Sequence, residues 1–462
     1  MAGVEQQDQL TEIGPLHGAI PGPRGEMLWG SLKVLKRDPV GFLVDCSQKY
    51  GDIVQFRIGP PGLGKVAYLV VHPDYIKHVL VDNQRNYKKA VTYDSVRLFL
   101  GEGLLTSEGE VWKRQRRIVN PLFHPERVAA LGPMMCEVVG EFLDRWSAGA
   151  TRDVAADMRR LTLDVLCRTM FSTDIEGDAD VIDEALDTVL KYAIRRVSFN
   201  SGLLNRLPTA ENRRFREAVA ALNGVVERLV AGHRASPPAK PDLLSMMLQA
   251  RDDVTGAGMT DGQLRDEMLT FLLAGHETTA NALAWCWYLL AEHPEVESEF
   301  HKELDSVLAG RAPGVDDLPK LSYTRQVLEE SMRIYPPVWA IERNAIGEDE
   351  IGGYRIPAGS LVVLSPYATQ HCARFWEDPE VFDPNRFTKE AAAARPSLAY
   401  FPFGGGPRTC IGKGFALMEG TLILASIGQR YRLAMAPDAR VEPQPLLTLR
   451  PRFGVSMQVC ER

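Results

Sequence analysis

The sequence predicts a mainly α-helical protein with a small β portion. Helical periodicity of apolar residues dominates about residues 110–234 and returns at about 260–292 and 319–334. Residues 51–58 alternate like a half-buried strand, and the apolar run 66–71 has the composition of a second strand. Long helical segments with few strand-like runs therefore indicate the fold class.

Shorter patterns mark where these elements begin and end. Pro21–Gly25 is a turn-rich lead-in, and either Thr260 or Asp261 can cap the long helix that stops before Pro294. Residues 352–364 predict a turn, a strand, a second turn and a second strand. The predicted strands thus lie before and after the helical part.

The composition is that of an ordinary globular protein. With 45% hydrophobic and 24% charged residues, the 462-residue chain has enough apolar side chains for a sizeable core. Its net charge of −7 gives no reason to expect a nucleic acid partner.

The seven cysteines indicate neither a disulfide framework nor a zinc site, because they lie far apart, are odd in number and form no C-x-x-C pair. This usage predicts a reducing compartment, the cytoplasm. Residues 1–12 contain no basic segment followed by an apolar one, so we expect no signal peptide and no membrane anchor.

Cys410 is the most informative cysteine, since it stands in the decapeptide FGGGPRTCIG at Phe403–Gly412. A free cysteine is usually a small buried hydrophobic residue. Here the glycines let the backbone approach a flat cofactor, and Arg408 offers a planar cation for a carboxylate. A helix predicted to start after Cys410 would stabilise a thiolate and lower its pKa. The neighbours therefore favour a thiolate that binds iron.

The pattern Phe-x-x-Gly-x-Arg-x-Cys-x-Gly resembles the haem-binding loop of the cytochrome P450 superfamily at every fixed position. The resemblance implies a haem b with Cys410 as axial thiolate, bound between a long central helix and the helix of the cysteine loop. It also implies that Phe403, Arg408 and Gly412 contact the haem. The chain looks like a soluble bacterial member of the superfamily.

The long helix contains Ala274-Gly-His-Glu-Thr-Thr279. The Thr278 hydroxyl can bond the Ala274 carbonyl four residues earlier, and Gly275 leaves a groove with no side chain above it. Alternatively, Gly275 is only a helix–helix contact and Glu277 a solvated charge. The segment resembles the superfamily's Ala/Gly-Gly-x-Asp/Glu-Thr-Thr/Ser motif. The resemblance implies that Ala274 and Gly275 border the haem, and that Glu277 and Thr278 relay protons during oxygen activation.

Glu330 and Arg333 lie three residues apart on one helical face, directly before Tyr335-Pro-Pro337. An exposed pair is the default interpretation of such spacing. Glu-x-x-Arg in this position resembles the superfamily's buried ion pair, which is joined by an arginine that Arg386 supplies here. The departure is Asn385, where the superfamily often has Glu.

Trp112 and Arg116 lie one helical turn apart. A structural tryptophan with a solvated arginine is the plain alternative. In the superfamily these positions bind a haem propionate, as does an arginine after Tyr-Pro-Pro, so the resemblance implies propionate contacts for Trp112, Arg116, Arg343 and Arg408. Four further cations form either a docking patch for an acidic redox protein or a solvated face: Lys113, Arg114, Arg117 and Lys413.

The resemblance implies one domain over residues 1–462: a β-rich part at about 50–75, a helical core at about 110–335, and strands with the cysteine loop at about 338–462. Its activity would be a monooxygenase that inserts one atom of O2 into a hydrophobic small molecule, such as a terpenoid, fatty acid, steroid or macrolide. Too little chain follows Cys410 for a reductase domain. Electrons from NAD(P)H are therefore expected through a ferredoxin or flavodoxin and its reductase, and the protein is expected to be a monomer.

Three alternatives remain open at this point. A haem-thiolate peroxygenase or isomerase would act on peroxides, and such enzymes usually lack the acid–alcohol pair. A non-enzymatic haem sensor would need no proton relay.

Arg195 and Arg196 either anchor a substrate carboxylate or lie on a solvated helix face. Substrate contacts are expected from mostly apolar stretches at 91–105, 197–207, 271–275, 338–341 and 446–449.

Overall fold

A computed structural model describes residues 20–62, 64–173, 177–197, 207–239 and 242–462. The chain divides into two compact units. The first comprises Met1–Ala90, Trp339–Val381 and Arg395–Thr409, and the second comprises Val91–Val338, Phe382–Ala394 and Cys410–Arg462. The single domain over residues 1–462 stays a prediction, and most of the expected substrate stretch 197–207 lies outside the described residues.

Short strands are distributed along the described chain. In chain order they are β1 (Ile53–Ile58), β2 (Lys65–Val70), β3 (Tyr87–Lys89), β4 (Thr151–Asp153), β5 (Ile341–Ala345), β6 (Asp349–Ile351), β7 (Tyr354–Ile356), β8 (Leu361–Leu364), β9 (Tyr431–Met435), β10 (Pro443–Pro445), β11 (Leu449–Pro451) and β12 (Ser456–Glu461).

Helices account for most of the described residues. They are α1 (Leu32–Arg37), α2 (Pro39–Tyr50), α3 (Pro73–Lys77), α4 (Tyr93–Leu100), α5 (Gly109–Val119), α6 (Pro125–Leu143), α7 (Val154–Phe171), α8 (Ala179–Val197), α9 (Ala210–Ala235), α10 (Leu243–Gln249), α11 (Asp261–Glu292), α12 (Pro294–Leu308), α13 (Ser322–Ile334), α14 (Pro366–Gln370), α15 (Lys389–Ala394) and α16 (Lys413–Arg430). The mainly α prediction is confirmed.

The first unit is built on a five-stranded sheet in the order β1-β2-β8-β5-β3. Only the β2–β8 pair is parallel. The hairpin β6–β7 lies between β5 and β8 in the sequence. Strands β7 and β8 confirm the turn–strand–turn–strand prediction for residues 352–364.

Strand β1 is more buried than its alternating sequence predicts. Five of its six residues are buried, among them Gln55 and Arg57. The reason is the turn-rich lead-in, which lies along the edge of β1 that the sheet leaves open. The Gln55 N–H donates to the Pro21 carbonyl at 2.9 Å, and the Ser31 N–H donates to the Arg57 carbonyl at 2.7 Å. The lead-in therefore shields a strand that would otherwise face solvent.

The second unit is organised around α11, which packs against α7, α13 and α16. Thr260 is its N-cap: the Thr260 hydroxyl accepts from the Gln263 N–H, and the Gln263 side chain accepts from the Thr260 N–H. This reciprocal capping box decides between the two candidate caps. Trp285 anchors the far half of the helix, since its indole N–H donates to the Leu449 carbonyl at 3.0 Å.

Two small antiparallel sheets complete the second unit, β4-β12-β9 and the hairpin β10–β11. Among the residues that the structure describes, no helix is long and apolar enough to cross a membrane.

Candidate active site

Helix α11 presents a narrow accessible strip in an otherwise buried segment. From Asp266 to Trp287, the residues that are not buried are Ala274, Gly275 and Thr278. Thr278 lies four residues after Ala274 and three after Gly275, so it is a neighbour of both on the surface of an α-helix. A helix that is buried on all sides except for one strip of three small residues has room there for a ligand.

The Thr278 hydroxyl donates to the Ala274 carbonyl at 2.7 Å, as its spacing predicts. The next threonine does the same one position later, because the Thr279 hydroxyl donates to the Gly275 carbonyl at 3.2 Å. Back-bonding of this kind loosens and bends a helix locally. The accessible strip therefore coincides with two carbonyls of α11 that each accept a threonine hydroxyl.

The expected empty groove at Gly275 is wrong in part. A Cβ added to Gly275 would lie 2.8 Å from Cδ1 of Leu166 on α7. Gly275 is thus a helix–helix contact, the alternative that its sequence left open, and a Cβ at this position would require the end of the Leu166 side chain to shift. Its role beside a cofactor stays a prediction.

Glu277 is buried rather than solvated, so the alternative of a surface charge is wrong. Its Oε1 accepts a hydrogen bond from the Thr448 hydroxyl at 2.6 Å, and Thr448 accepts in turn from the Asn281 amide at 3.1 Å. Its Oε2 has no hydrogen-bond partner among the described residues. Burial raises the pKa of Glu277, and the Thr448 hydrogen bond and the charge of Arg450 offset only part of that rise.

Glu277 also lines a polar pocket of about 430 Å³ inside the second unit. Arg159, Asp187, Asn281 and Arg450 are among its other lining residues, and Asp187 and Arg450 form an ion pair at 3.1 Å. A polar space of this size can hold on the order of ten water molecules. The carboxyl of Glu277 thus borders a polar pocket with room for water.

Cys410 is the exposed member of the seven cysteines, while the other six are buried or half-buried. The backbone N–H groups of Gly412 and Lys413, at the start of α16, point to its sulfur, and Arg116 and Lys413 add positive charge. Loss of hydration nevertheless raises the pKa of the Cys410 thiol above its ordinary value. The predicted donors and the two cations each act to lower this pKa, as expected, and desolvation outweighs them.

Trp112 and Arg116 lie one turn apart on α5, and both are half-buried. Burial lowers the pKa of Arg116, and the charge of Cys410 acts against that effect. Arg116 therefore lies close enough to the thiol to influence it.

The predicted basic patch is largely occupied by internal contacts. Arg117 binds the buried carboxylate of Asp252 at 2.9 Å, and Lys113 pairs with Glu110 at 2.6 Å. Arg114 donates to the carbonyls of Ala257 and Gly258. These contacts weaken the case for a free cationic docking surface at α5.

The site residues of the first unit lie on β5 and on the cysteine loop. Arg343 is buried on β5, and Phe403 and Arg408 are half-buried in the loop. Gly404 and Gly406 have φ of +70° and +66°, and a Cβ on Gly406 would lie 1.9 Å from the Leu80 carbonyl oxygen. Only glycine fits this turn, which explains the glycine run before Cys410.

Glu330 and Arg333 form a buried bidentate pair, with oxygen–nitrogen distances of 2.6 and 2.7 Å and fully buried side chains. The Asp383 N–H donates to Glu330 Oε1 at 3.0 Å, and Nε of Arg386 lies 3.5 Å from the same oxygen. The structure thus brings together the three residues predicted from Glu-x-x-Arg and the later arginine.

Arg195 and Arg196 bind side chains of α9 rather than stand free for a substrate. Arg195 pairs with Glu211 at 3.0 Å, and Arg196 donates to the Asn212 amide oxygen at 3.0 Å. Both arginines therefore connect α8 to α9, which gives no support to a carboxylate anchor.

Sequence reasoning missed several residues around Glu277 and Gly275. Thr448 falls in a stretch expected to be apolar, and no local pattern connects it to a residue on α11. Leu166 and Arg450 are ordinary members of a helix and a strand by sequence. Of these three missed residues, Thr448 is the one that a search for polar residues inside the stretches expected to be apolar would have included.

The residues of the second unit fit a haem. Cys410 is accessible, two backbone N–H groups and a guanidinium stabilise its sulfur, and α11 offers an accessible strip of small residues. Among the described residues there is no group of three or more His, Cys, Asp or Glu that could hold a metal ion. A single thiolate ligand to a porphyrin iron is compatible with this donor set.

Comparisons with known proteins agree with this chemistry. The family model described as "Cytochrome P450" matches residues 20–457. "Cyclooctatin synthase" of Streptomyces melanosporofaciens is 38% identical over 94% of this chain and 93% of its own. "Cyclooctat-9-en-7-ol 5-monooxygenase" of the same organism is 39% identical over 92% and 90%, and "Pentalenene oxygenase" of Streptomyces avermitilis is 34% identical over 94% of each.

A solved structure agrees as well. The crystal structure of the cytochrome P450DA haem domain superposes with a TM-score of 0.87 and 29% identity, and the match covers 96% of this chain and 98% of that one. The predicted fold and superfamily are confirmed. The chain belongs to the cytochrome P450 family and is a haem-thiolate monooxygenase.

Proposed function

We propose that this enzyme inserts one oxygen atom from O2 into a terpenoid, using electrons from a separate redox protein. Family membership makes a hydrophobic substrate and a redox partner requirements. The terpenoid class is supported by the relatives named for cyclooctatin, cyclooctat-9-en-7-ol and pentalenene, each aligned over at least 90% of both chains.

In this proposal Cys410 binds the haem iron as a thiolate. Trp112, Arg116, Arg343 and Arg408 bind the propionates, while Ala274, Gly275, Phe403 and Gly412 contact the haem. Bound haem supplies the oxidising chemistry, and thiolate ligation favours cleavage of the O–O bond. The accessible thiol of Cys410 and the strip at Ala274, Gly275 and Thr278 support these assignments.

Glu277 and Thr278 deliver the protons in this proposal, and one observation carries it: a buried carboxyl with a raised pKa stands next to an accessible hydroxyl on α11. A carboxyl with a raised pKa keeps its proton to higher pH than an ordinary one and is better suited to act as a general acid. Waters in the pocket that Glu277 lines can resupply its Oε2, which has no protein partner among the described residues.

NAD(P)H is the electron source through a ferredoxin or flavodoxin and its reductase. We further propose that the enzyme is a cytoplasmic monomer. Because Arg114 and Arg117 already contact other residues of the chain, we propose that the partner docks mainly on other side chains.

The test uses purified holoprotein, a generic ferredoxin and its reductase, NAD(P)H and ¹⁸O2, with cyclic terpenes and terpene alcohols as substrates. The proposal predicts product that carries one labelled oxygen atom and depends on NAD(P)H. Product that forms only with added hydrogen peroxide, or rearranged product without labelled oxygen, would contradict it. Fatty acids of similar size serve as the comparison that tests the terpenoid class.

A further inference from the structure

Three consecutive carbonyls in the middle of α11 each lie beside a threonine hydroxyl. Thr278 reaches the Ala274 carbonyl at 2.7 Å and Thr279 reaches the Gly275 carbonyl at 3.2 Å. The third carbonyl, that of His276, lies 3.2 Å from the hydroxyl of Thr162. Thr162 belongs to α7, so the third hydroxyl comes from a different helix.

The origin of the third hydroxyl follows from the sequence of α11. A back-bond to the His276 carbonyl would need a hydroxyl four residues later, and that position is Ala280. Thr162 of α7 therefore provides the hydroxyl that contacts the His276 carbonyl, since α11 has no hydroxyl at the required position. The row of hydroxyl contacts is thereby extended from two carbonyls to three.

A second residue of α7, Leu166, packs against the same segment of α11. Leu166 lies one turn after Thr162, and its Cδ1 would be 2.8 Å from a Cβ on Gly275. Thr162 and Leu166 are both completely buried. One face of α7 thus contacts two successive residues of α11, immediately beside the accessible strip.

The Thr162 hydroxyl has one proton and more than one acceptor. It lies 2.9 Å from the Met158 carbonyl of its own helix as well as 3.2 Å from that of His276. Thr169, two turns along α7, makes the same intrahelical bond to Val165 at 2.6 Å, and the hydrogen bonds of its hydroxyl to described residues stay within α7. The longer intrahelical distance at Thr162 fits a proton that is shared between the two helices.

We propose that Thr162 is a positioning residue for oxygen activation. Its hydroxyl, with Leu166 beside it, holds the segment 274–276 of α11 and so keeps the Thr278 hydroxyl in place. Thr162 itself touches neither substrate nor cofactor in this proposal. The inference rests on the proposed function, in which Thr278 relays protons.

The test compares Thr162→Val, which keeps the shape and removes the hydroxyl, with Thr162→Ser, which keeps the hydroxyl. Thr169→Val is the matched control, because it removes a buried hydroxyl of the same helix whose hydrogen bonds to described residues stay within α7. A fourth variant, Thr162→Ala, replaces the valine variant if that one yields no folded holoprotein. The carbon monoxide spectrum and the melting temperature check that every variant is folded.

The first readout needs no substrate: backbone amide hydrogen exchange of the holoprotein across residues 274–282. We expect about fivefold faster exchange in Thr162→Val, the effect of losing one hydrogen bond, and wild-type exchange in Thr162→Ser and Thr169→Val. The second readout is peroxide released per NAD(P)H consumed. It should rise at least about twofold in Thr162→Val while KM for substrate stays within about twofold, because an interaction outside the substrate site is lost.

Equal behaviour of Thr162→Val and Thr169→Val in either readout overturns the positioning role. So does a Thr162→Ser variant that behaves like Thr162→Val, because a hydroxyl at this position would then not be enough to hold α11 and keep the wild-type behaviour. Failure of the proposed function gives a different result: the wild-type enzyme itself then forms no labelled product, whatever the exchange rates are.

Discussion

The hydroxyl of Thr448 lies 2.6 Å from Oε1 of Glu277, although 171 positions separate the two residues in the chain. Thr448 stands directly before β11. Burial raises the pKa of Glu277, and the hydrogen bond from Thr448 is the largest of the influences that lower it. The C-terminal part of the chain therefore adjusts the acidity of a carboxyl on α11.

Replacing Thr448 with valine should shift the pH dependence of product formation. Without the hydroxyl, the pKa of Glu277 rises further, so the acid keeps its proton to higher pH. The alkaline limb of the pH profile of kcat should therefore shift to higher pH. A pH–rate profile of labelled product measures this. Thr421→Val is the control, because that buried hydroxyl donates to the Leu417 carbonyl of its own helix. If the alkaline limb does not shift in Thr448→Val, Thr448 has no role in proton delivery.

Thr278→Ala should keep haem and substrate binding but lose coupling between electron use and product. Its hydroxyl is the accessible polar group on the α11 strip, so its loss should raise peroxide release per NAD(P)H severalfold. Thr270→Ala removes an equivalent back-bond two turns earlier, to Asp266 at 2.8 Å, in a buried part of the helix. Peroxide and product are measured together, and full coupling in Thr278→Ala removes this residue from the mechanism.

Glu330→Ala should prevent recovery of normal holoprotein. The substitution leaves the buried guanidinium of Arg333 without its carboxylate, at a cost of about 3–5 kcal/mol. The neighbouring Glu329 is half-buried and pairs with Arg325 at 3.5 Å, so Glu329→Ala should cost under about 1 kcal/mol. Haem content and the denaturation midpoint decide; a normal Glu330→Ala holoprotein would mean that the buried pair is dispensable.

Glu267 should make the protein less stable as pH rises. Burial raises its pKa to about 8, the nearby charge of Asp266 acts in the same direction, and the Leu104 N–H only partly offsets them. Between its ordinary carboxyl pKa and about 8, the folded state binds more protons than the unfolded state. Its stabilising contribution is therefore complete at low pH and is lost toward pH 8, with a slope of up to about 1.4 kcal/mol per pH unit.

Chemical denaturation of wild type and Glu267→Gln at several pH values between 5 and 8 measures this slope. The glutamine variant should show a flatter dependence than wild type, since the other buried carboxyls are present in both proteins. Glu102→Gln, an exposed acid of the neighbouring loop, should leave the slope unchanged. Parallel curves for wild type and Glu267→Gln would show that Glu267 is already ionised at neutral pH.

Features that depend on short spacing were predictable from the sequence. The Thr278 back-bond, the Glu330–Arg333 pair and the Thr260 cap all join residues three or four positions apart, where helix geometry alone brings the groups together. The cysteine loop was recognisable because its glycines serve a turn that no other residue fits.

Features that depend on packing between distant segments were not predictable. Leu166 over Gly275 needs the crossing of α7 on α11, and the Thr448 contact needs the C-terminal hairpin to reach the same helix. The desolvation that raises the pKa of Cys410 was not predictable for the same reason: the backbone donors that lower this pKa are local in sequence, whereas the desolvation arises from packing.

Reduction of the purified holoprotein under carbon monoxide tests the central claim most directly, namely that the sulfur of Cys410 is the axial ligand of the haem iron. The account predicts the long-wavelength Soret band of thiolate ligation in the wild type and in Cys136→Ser, and its loss in Cys410→Ala. A wild-type protein without that band, or a Cys410→Ala variant that keeps it, would contradict the account.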